Sequence, residues 1–175
     1  IKFTADVYNK NTKDLLQIIY FPGFSKPYYY HAGEIENRGL ELGLNTINLT
    51  GNFKWNTNFN ISFNDNQVVK LGLLKKLPFQ NLTSVGESVI LLTEGSSLGS
   101  FYGYKVDKVD PATGVLLYKD INGDGNVTPD DRTNIGNPNP NFSFGFSNDF
   151  SYKGFTLDAL ITGSQRGDVF NASRL

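Results

Sequence analysis

The residues of this chain best suited to chemistry lie between 120 and 131, in Asp-Ile-Asn-Gly-Asp-Gly-Asn-Val-Thr-Pro-Asp-Asp. Side chains that present oxygen fall on alternate positions, at Asp120, Asn122 and Asp124, and Gly125 follows where a tight loop must turn sharply. Asn126 would offer its main-chain carbonyl, Thr128 would act through a water, and Asp131 would close the ring in place of the usual glutamate. This is the spacing of an EF-hand calcium loop, and hard oxygen donors gathered around one point suit Ca²⁺. An aspartate at the closing position is shorter than glutamate and would wrap the ion less completely. Thr128-Pro129-Asp130-Asp131 also reads as the cap and first turn of a short helix. The expected role is structural: one Ca²⁺ stiffening a long exposed loop. The plainer alternative is a polar Asn-Gly and Asp-Gly turn that holds nothing.

Little else in the sequence supports chemistry. The single histidine, His31, has no acid–base partner near it, and no serine–histidine–aspartate or paired-carboxylate arrangement is evident, so no enzyme is expected. Cysteine is absent, which removes disulfides and thiol chemistry and makes a zinc site improbable. A formal net charge of −1 gives no basic face for a nucleic-acid partner. The run Tyr28-Tyr29-Tyr30-His31 reads as part of an aromatic girdle at a membrane interface, with stacking on sugar rings as the alternative. Phe101-Tyr102-Gly103-Tyr104 is expected to pack within its own loop.

The elements that must carry these residues are strands. Aromatics make up 14% of the chain and Gly reaches 18, a mixture of strand formers and turn formers. From Phe53 to Phe63 the odd positions are Phe53, Trp55, Thr57, Phe59, Ile61 and Phe63, and every even position is Lys, Asn or Ser. The stretch is about as long as the 9–11 residues a tilted strand needs to cross a bilayer. Phe142, Phe144, Phe146, Phe150 and Tyr152 repeat the pattern, broken only by Asn148. After Lys153-Gly154 come Phe155, Leu157, Ala159 and Ile161. A two-residue turn there would set Tyr152 opposite Phe155, Phe150 opposite Leu157, Asn148 opposite Ala159 and Phe146 opposite Ile161. A one-residue slip would mix the faces.

Weaker strands start at Ile1-Phe3-Ala5-Val7 and at Leu40-Leu42-Leu44, the latter turning through Asn48-Leu49-Thr50-Gly51. Long connections (about 9–33 and 64–141) then alternate with short ones (about 48–51 and 153–154), the layout of an outer-membrane barrel. The expected fold is therefore all-β: antiparallel transmembrane β-barrel strands forming a partial barrel, with long extracellular loops. Residues 1–175 form a single barrel piece, and the long loop 64–141 carries the 120–131 segment. A soluble sheet with one wet face is the competing arrangement. The polar face here is Asn, Ser and Gly rather than Lys and Glu, which suits a water-filled lumen better than an exposed soluble surface. The chain opens at Ile1 inside a strand pattern and reads as part of something longer.

Three segments resemble signatures of one family. They are Gly33-Glu34-Ile35-Glu36-Asn37-Arg38-Gly39-Leu40-Glu41-Leu42, Gly99-Ser100-Phe101-Tyr102-Gly103-Tyr104, and Tyr118-Lys119-Asp120 through Asp124-Gly125 to Asp131-Arg132 and Ile135-Gly136-Asn137-Pro138-Asn139-Pro140. In this order they resemble the SusC/RagA-like TonB-dependent transporters. The resemblance implies a C-terminal piece of a barrel of about 22 strands, set in the lipid of the Gram-negative outer membrane. It implies an inner plug that is absent here, energy supplied through TonB, and a SusD-like surface lipoprotein acting as a lid. The implied cargo is oligosaccharide, sometimes peptide. The rival reading is a secreted, calcium-stabilised, β-rich glycan-binding module, which would be soluble where a barrel piece would not.

Overall fold

The structure, a computed structural model, describes residues 1–19, 23, 26–82 and 87–171. Five strands build the main sheet: β1 (Lys2–Ile19), β2 (Tyr28–Thr50), β3 (Phe53–Leu71), β10 (Phe142–Tyr152) and β11 (Phe155–Gln165). They lie in the order β1-β2-β3-β10-β11, and every neighbouring pair is antiparallel. The intervening chain forms a second sheet, β4 (Lys76–Leu82), β5 (Glu87–Thr93), β6 (Phe101–Tyr104) and β9 (Arg132–Gly136), ordered β4-β5-β6-β9. A small hairpin, β7 (Val106–Val109) with β8 (Leu116–Tyr118), precedes a 3₁₀ turn at Pro129–Asp131.

The last hairpin matches its expected register. Tyr152 faces Phe155, Phe150 faces Leu157, Asn148 faces Ala159 and Phe146 faces Ile161. Lys153 and Gly154 both take left-handed backbone (φ 47° and 87°), the two-residue turn whose twist matches its strands.

The connections differ from expectation at three places. Residues 9–33, expected as a loop, are mostly strand: β1 runs to Ile19 and β2 starts at Tyr28. The alternation that marks the first residues of β1 stops near Val7, but main-chain pairing continues through Asn9↔Arg38 and Asn11↔Glu36. Hydrogen-bonded ladders need no apolar face, so a strand can outlast its hydrophobic pattern. A bulge with Asp14 at φ 55° absorbs the irregularity between Thr12 and Leu16. The short turn expected at 48–51 sits slightly later. β2 continues to Thr50 with a register shift between Ile47 and Leu49, and Gly51 and Asn52 make the connection. Finally, the expected loop 64–141 begins only after Leu71 and is itself a folded sheet.

Among the described residues, the buried apolar side chains are Val68, Leu71 and Val89, where the second sheet meets the upper end of β3. The aromatics of the main sheet are not gathered into an enclosed core: Phe53 is 41% exposed, and Trp55, Phe59, Phe144 and Phe146 are all partly exposed. The sheet is an open wall with two faces.

Candidate functional site

The pairing registers place the apolar side chains in rows across the wall. Leu49, Trp55, Phe150 and Leu157 share one row; Phe3, Leu44, Phe59, Phe146 and Ile161 another; and Ala5, Leu42, Ile61, Phe144 and Gly163 the next. Ring contacts run along them, with Trp55 stacked on Phe150 (5.9 Å) and Phe59 edge-on to Phe146 (6.4 Å). From the Phe53–Tyr152–Phe155 end to the row of Val7, Leu40 and Phe63, no charged side chain lies on this face. The charges of the same strands, including Lys2, Asp6, Glu41, Lys54, Asp149 and Asp158, fall on the opposite face among Asn58, Asn60, Ser62, Ser143 and Ser147.

The apolar band has a definite top. Beyond Val7, Leu40 and Phe63 the same face carries Asn9, Arg38 and Asp65, then Asn11, Glu36 and Gln67. Arg38 pairs with Glu36 at 2.8 Å, and Lys13 lies 3.6 Å from Glu34. β10 and β11 are 11 residues each; at ~3.3 Å per residue and a tilt of ~45°, such strands stand roughly 25 Å tall, the height of a barrel's lipid-facing band.

One row in the band is polar, formed by Thr46, Thr57 and Asn148 with Ala159. Asn148 and Thr57 are the hubs of a small polar network. Trp55 Nε1 and Thr57 Oγ1 both donate to Asn148 Oδ1 (2.9 and 2.8 Å), and Asn48 Nδ2 donates to Thr57 Oγ1 (2.7 Å).

The 120–131 loop is closed by hydrogen bonds. Asp120 accepts from the N–H groups of Gly123 (2.6 Å) and Gly125 (2.7 Å). Asn122 accepts from Asp124 N–H, and Asp124 from Asn126 N–H, at 2.9 and 2.8 Å. Gly123 and Gly125 take positive φ, 76° and 88°, as the sharp turn requires. The Asn122 and Asp124 side chains meet (Nδ2 to Oδ2, 3.1 Å), while Asp120 turns to the main-chain N–H groups of Gly123 and Gly125. Asn126 contributes a main-chain donor to that arrangement.

Asp131 stands apart from them. Its carboxylate is fully buried and accepts from Ile121 N–H (2.7 Å), Asn122 N–H (3.1 Å) and Thr128 N–H (2.7 Å). Thr128 in turn caps the 3₁₀ turn, the two side chains forming a reciprocal box. The N–H groups of Thr128 and Asn122 lead in holding the Asp131 carboxyl below the usual carboxylate range, against the opposing effect of burial. Among the described residues no group of three or more His, Cys, Asp or Glu side chains is arranged to hold a metal.

Tyr28, Tyr29 and Tyr30 lie on the β2 extension, well beyond the charged rows that end the apolar band. That position corrects their reading as a girdle, since a girdle must sit at the edge of the band. Tyr102 and Tyr104 pack within the loop region, as expected, against the Arg132 guanidinium (4.7 and 5.9 Å from the ring centres). Arg132 also donates to the Ser88 and Tyr102 carbonyls. Spacing along the chain carried no signal for that cluster, because its members come from three separate segments.

No protein-family model matches the chain. Among curated proteins, TonB-dependent receptor P3 of Formosa agariphila is 32% identical over all of this chain, and receptor P26 of the same organism is 32% identical over 94% of it. TonB-dependent receptor SusC of Bacteroides thetaiotaomicron is 24% identical over 94% of the chain. The solved RagAB peptide transporter superposes on 91% of it, with a TM-score of 0.73 and 25% identity, and RagAB in its open-open state on 93% with 0.74. The chain spans only about one fifth of the length of these relatives (18–20%). With the segregated faces of its wall, these matches identify the chain as a strand-and-loop segment of a SusC/RagA-like TonB-dependent receptor, a family of Gram-negative outer-membrane β-barrel proteins rather than enzymes.

Proposed function

We propose that the chain supplies part of the barrel wall, with its attached outer loops, of an importer that brings oligosaccharide or peptide across the outer membrane. The carrying observation is the two-faced main sheet: a charge-free apolar band about one membrane core tall, backed by an amide- and hydroxyl-rich face suited to a wet lumen. A SusD-like lipoprotein as lid and TonB as energy source complete the proposal. They are supported by the likeness to SusC, a TonB-dependent receptor by its name, and to the RagAB peptide transporter. The secreted glycan-binding module loses ground because an apolar face this long and uncovered would aggregate in water.

The test uses the full-length receptor in its native outer membrane, with labelled oligosaccharides and peptides as probes. Uptake that requires both TonB and the neighbouring lipoprotein supports the proposal. Wild-type uptake after deletion of either one overturns it.

We further propose Ca²⁺ for the 120–131 loop, held by Asp120, Asn122 and Asp124 with the Asn126 carbonyl and a Thr128-bound water. Asp131 would stiffen the ring from beneath through its N–H contacts rather than as a two-oxygen ligand. The support is the alternate spacing and the contact between the Asn122 and Asp124 side chains. Calorimetric titration of metal-free receptor with CaCl₂ should show one site that Asp120→Ala/Asp124→Ala removes. Equal heats in both proteins would exclude it.

A further inference from the structure

Asn122-Gly123 is the one Asn-Gly step in the chain, and it lies in the exposed part of the 120–131 loop. An asparagine before glycine is able to close on itself. The glycine main-chain nitrogen attacks the side-chain Cγ and forms a five-membered succinimide. A Cβ on the following residue crowds that ring, and glycine has none. Every other asparagine of the chain precedes a residue that carries a Cβ.

Three hydrogen bonds set the reacting atoms. Asn122 Oδ1 accepts from Asp124 N–H (2.9 Å). An asparagine side chain bonded to the N–H two residues ahead closes a local turn. That turn folds Cγ back over the intervening nitrogen, here that of Gly123. Gly123 N–H donates to Asp120 Oδ1 (2.6 Å), a charge-assisted bond that draws on the N–H and enriches the nitrogen behind it. Asn122 Nδ2 donates to Asp124 Oδ2 (3.1 Å), so the nitrogen that must depart lies beside a negative charge. Residues 121–127 are all exposed, which gives water access to the ring once it forms.

We propose that Asn122 is a self-modifying site, converted by its own loop to aspartate or isoaspartate without an enzyme. The bond from Gly123 N to Asn122 Cγ forms as the N–H proton passes to solvent. Holding the two atoms together removes the entropy cost of their encounter. Negative charge builds on Oδ1, where the Asp124 N–H already donates. The Cγ–Nδ2 bond then breaks, and the nitrogen takes a proton from solvent and leaves as ammonia. Water adds to the succinimide at one of its two carbonyls. Opening at Cγ gives aspartate, and opening at the main-chain carbonyl gives isoaspartate. The sum is one water consumed and one ammonia released, with no oxidant or reductant. Either product sets a further carboxylate beside Asp120 and Asp124. The inference stands apart from the calcium reading, since it uses the loop as its own hydrogen bonds close it.

The test warms full-length receptor in detergent at neutral pH, beside a linear peptide of residues 118–128. EDTA keeps both free of metal, so a failed calcium site does not affect the outcome. Peptide mapping by mass spectrometry follows amide-to-acid conversion, and isoaspartate methyltransferase reports the isoaspartate. Asn122 should convert at least as fast in the folded receptor as in the peptide. It should also convert at least tenfold faster than Asn126, its exposed neighbour in the loop, and than Asn64 or Asn148 in the strands. Gly123→Ala should slow conversion at least tenfold. If that variant fails to fold, the wild-type receptor against the peptide decides the question. Slower conversion in the folded receptor than in the peptide, or conversion spread evenly over the asparagines, overturns the proposal.

Discussion

Trp55 and Asn148 are joined across the wall by a hydrogen bond of 2.9 Å from the indole N–H to the amide oxygen, although 93 residues separate them in the chain. The bond accounts for the one break in the apolar stripe of β10. Asn148 lies within a face otherwise apolar at this level, and its oxygen also receives the Thr57 hydroxyl. A polar group at the lipid face must find its partner within the protein, because hydrocarbon offers none.

That pairing predicts energetic coupling. Asn148→Ala and Trp55→Phe, made singly and together in the full-length receptor, should be non-additive by about 0.5–1.5 kcal/mol in denaturant unfolding from lipid vesicles. Asn148→Ala should be the costlier single change, since it strands both the indole N–H and the Thr57 hydroxyl. Simple additivity would mean that the two side chains do not depend on each other.

The edges of the band predict a depth profile. Phe146→Arg, in mid-band, should destabilise by about 2–4 kcal/mol, whereas Gln67→Arg, above the Arg38–Asp65 row, should cost about 0–1 kcal/mol. The same vesicle unfolding assay measures both. Equal costs would place the lipid boundary elsewhere.

How far the sequence revealed this architecture depended on where lipid is. Phe53–Phe63 and Phe142–Ile161 declared their strands because one face meets hydrocarbon and the other water, so chemistry alternates with the pleat. Just above Val7 and Leu40 the apolar face turns polar, and pairs such as Asn9↔Arg38 and Asn11↔Glu36 leave no periodic trace although the ladder continues. The pairing of β3 with β10 spans a separately folded insertion, and no local signal encodes it. In the 120–131 loop, the glycines between oxygen-bearing side chains foretold a tight turn, and Gly123 and Gly125 make it at positive φ. They did not foretell the burial of Asp131, which follows from the cap at Thr128 and from N–H groups ten positions back.

The β7–β8 hairpin should respond to acid through Asp110. Its carboxylate accepts from Ala112 N–H (2.9 Å) and the Thr113 hydroxyl (2.7 Å), and the Ala112 bond leads in holding its pKa below the ordinary value. A carboxyl lowered in the folded state adds stability above its unfolded pKa, near 3.9, and that contribution is lost as pH falls through the lower folded value. Hydrogen exchange at residues 106–118, corrected for intrinsic rates, should therefore lose protection between about pH 4 and pH 2. In Asp110→Asn the pH-dependent part of that loss should disappear. An unchanged pH profile in the variant would remove Asp110 as its source.

Gly39 offers the sharpest test of packing on the polar face. The Tyr8 ring lies over it, and its hydroxyl reaches across β2 to donate to Asn64 Oδ1 at 2.9 Å. A methyl group on Gly39 would fall inside the Tyr8 ring, so Gly39→Ala must displace the ring and break that bond. A clash of this kind costs about 1–3 kcal/mol. Removing the ring removes the clash, so Tyr8→Ala combined with Gly39→Ala should be more stable than the sum of the single effects by at least ~1 kcal/mol. Gly43, whose Cβ would meet the Thr4 hydroxyl, is the comparison site: a small rotatable group can turn aside, and Gly43→Ala should cost less than Gly39→Ala. If the two alanine variants are equally destabilised and Tyr8→Ala brings no relief, then the flat ring is not what requires glycine at position 39.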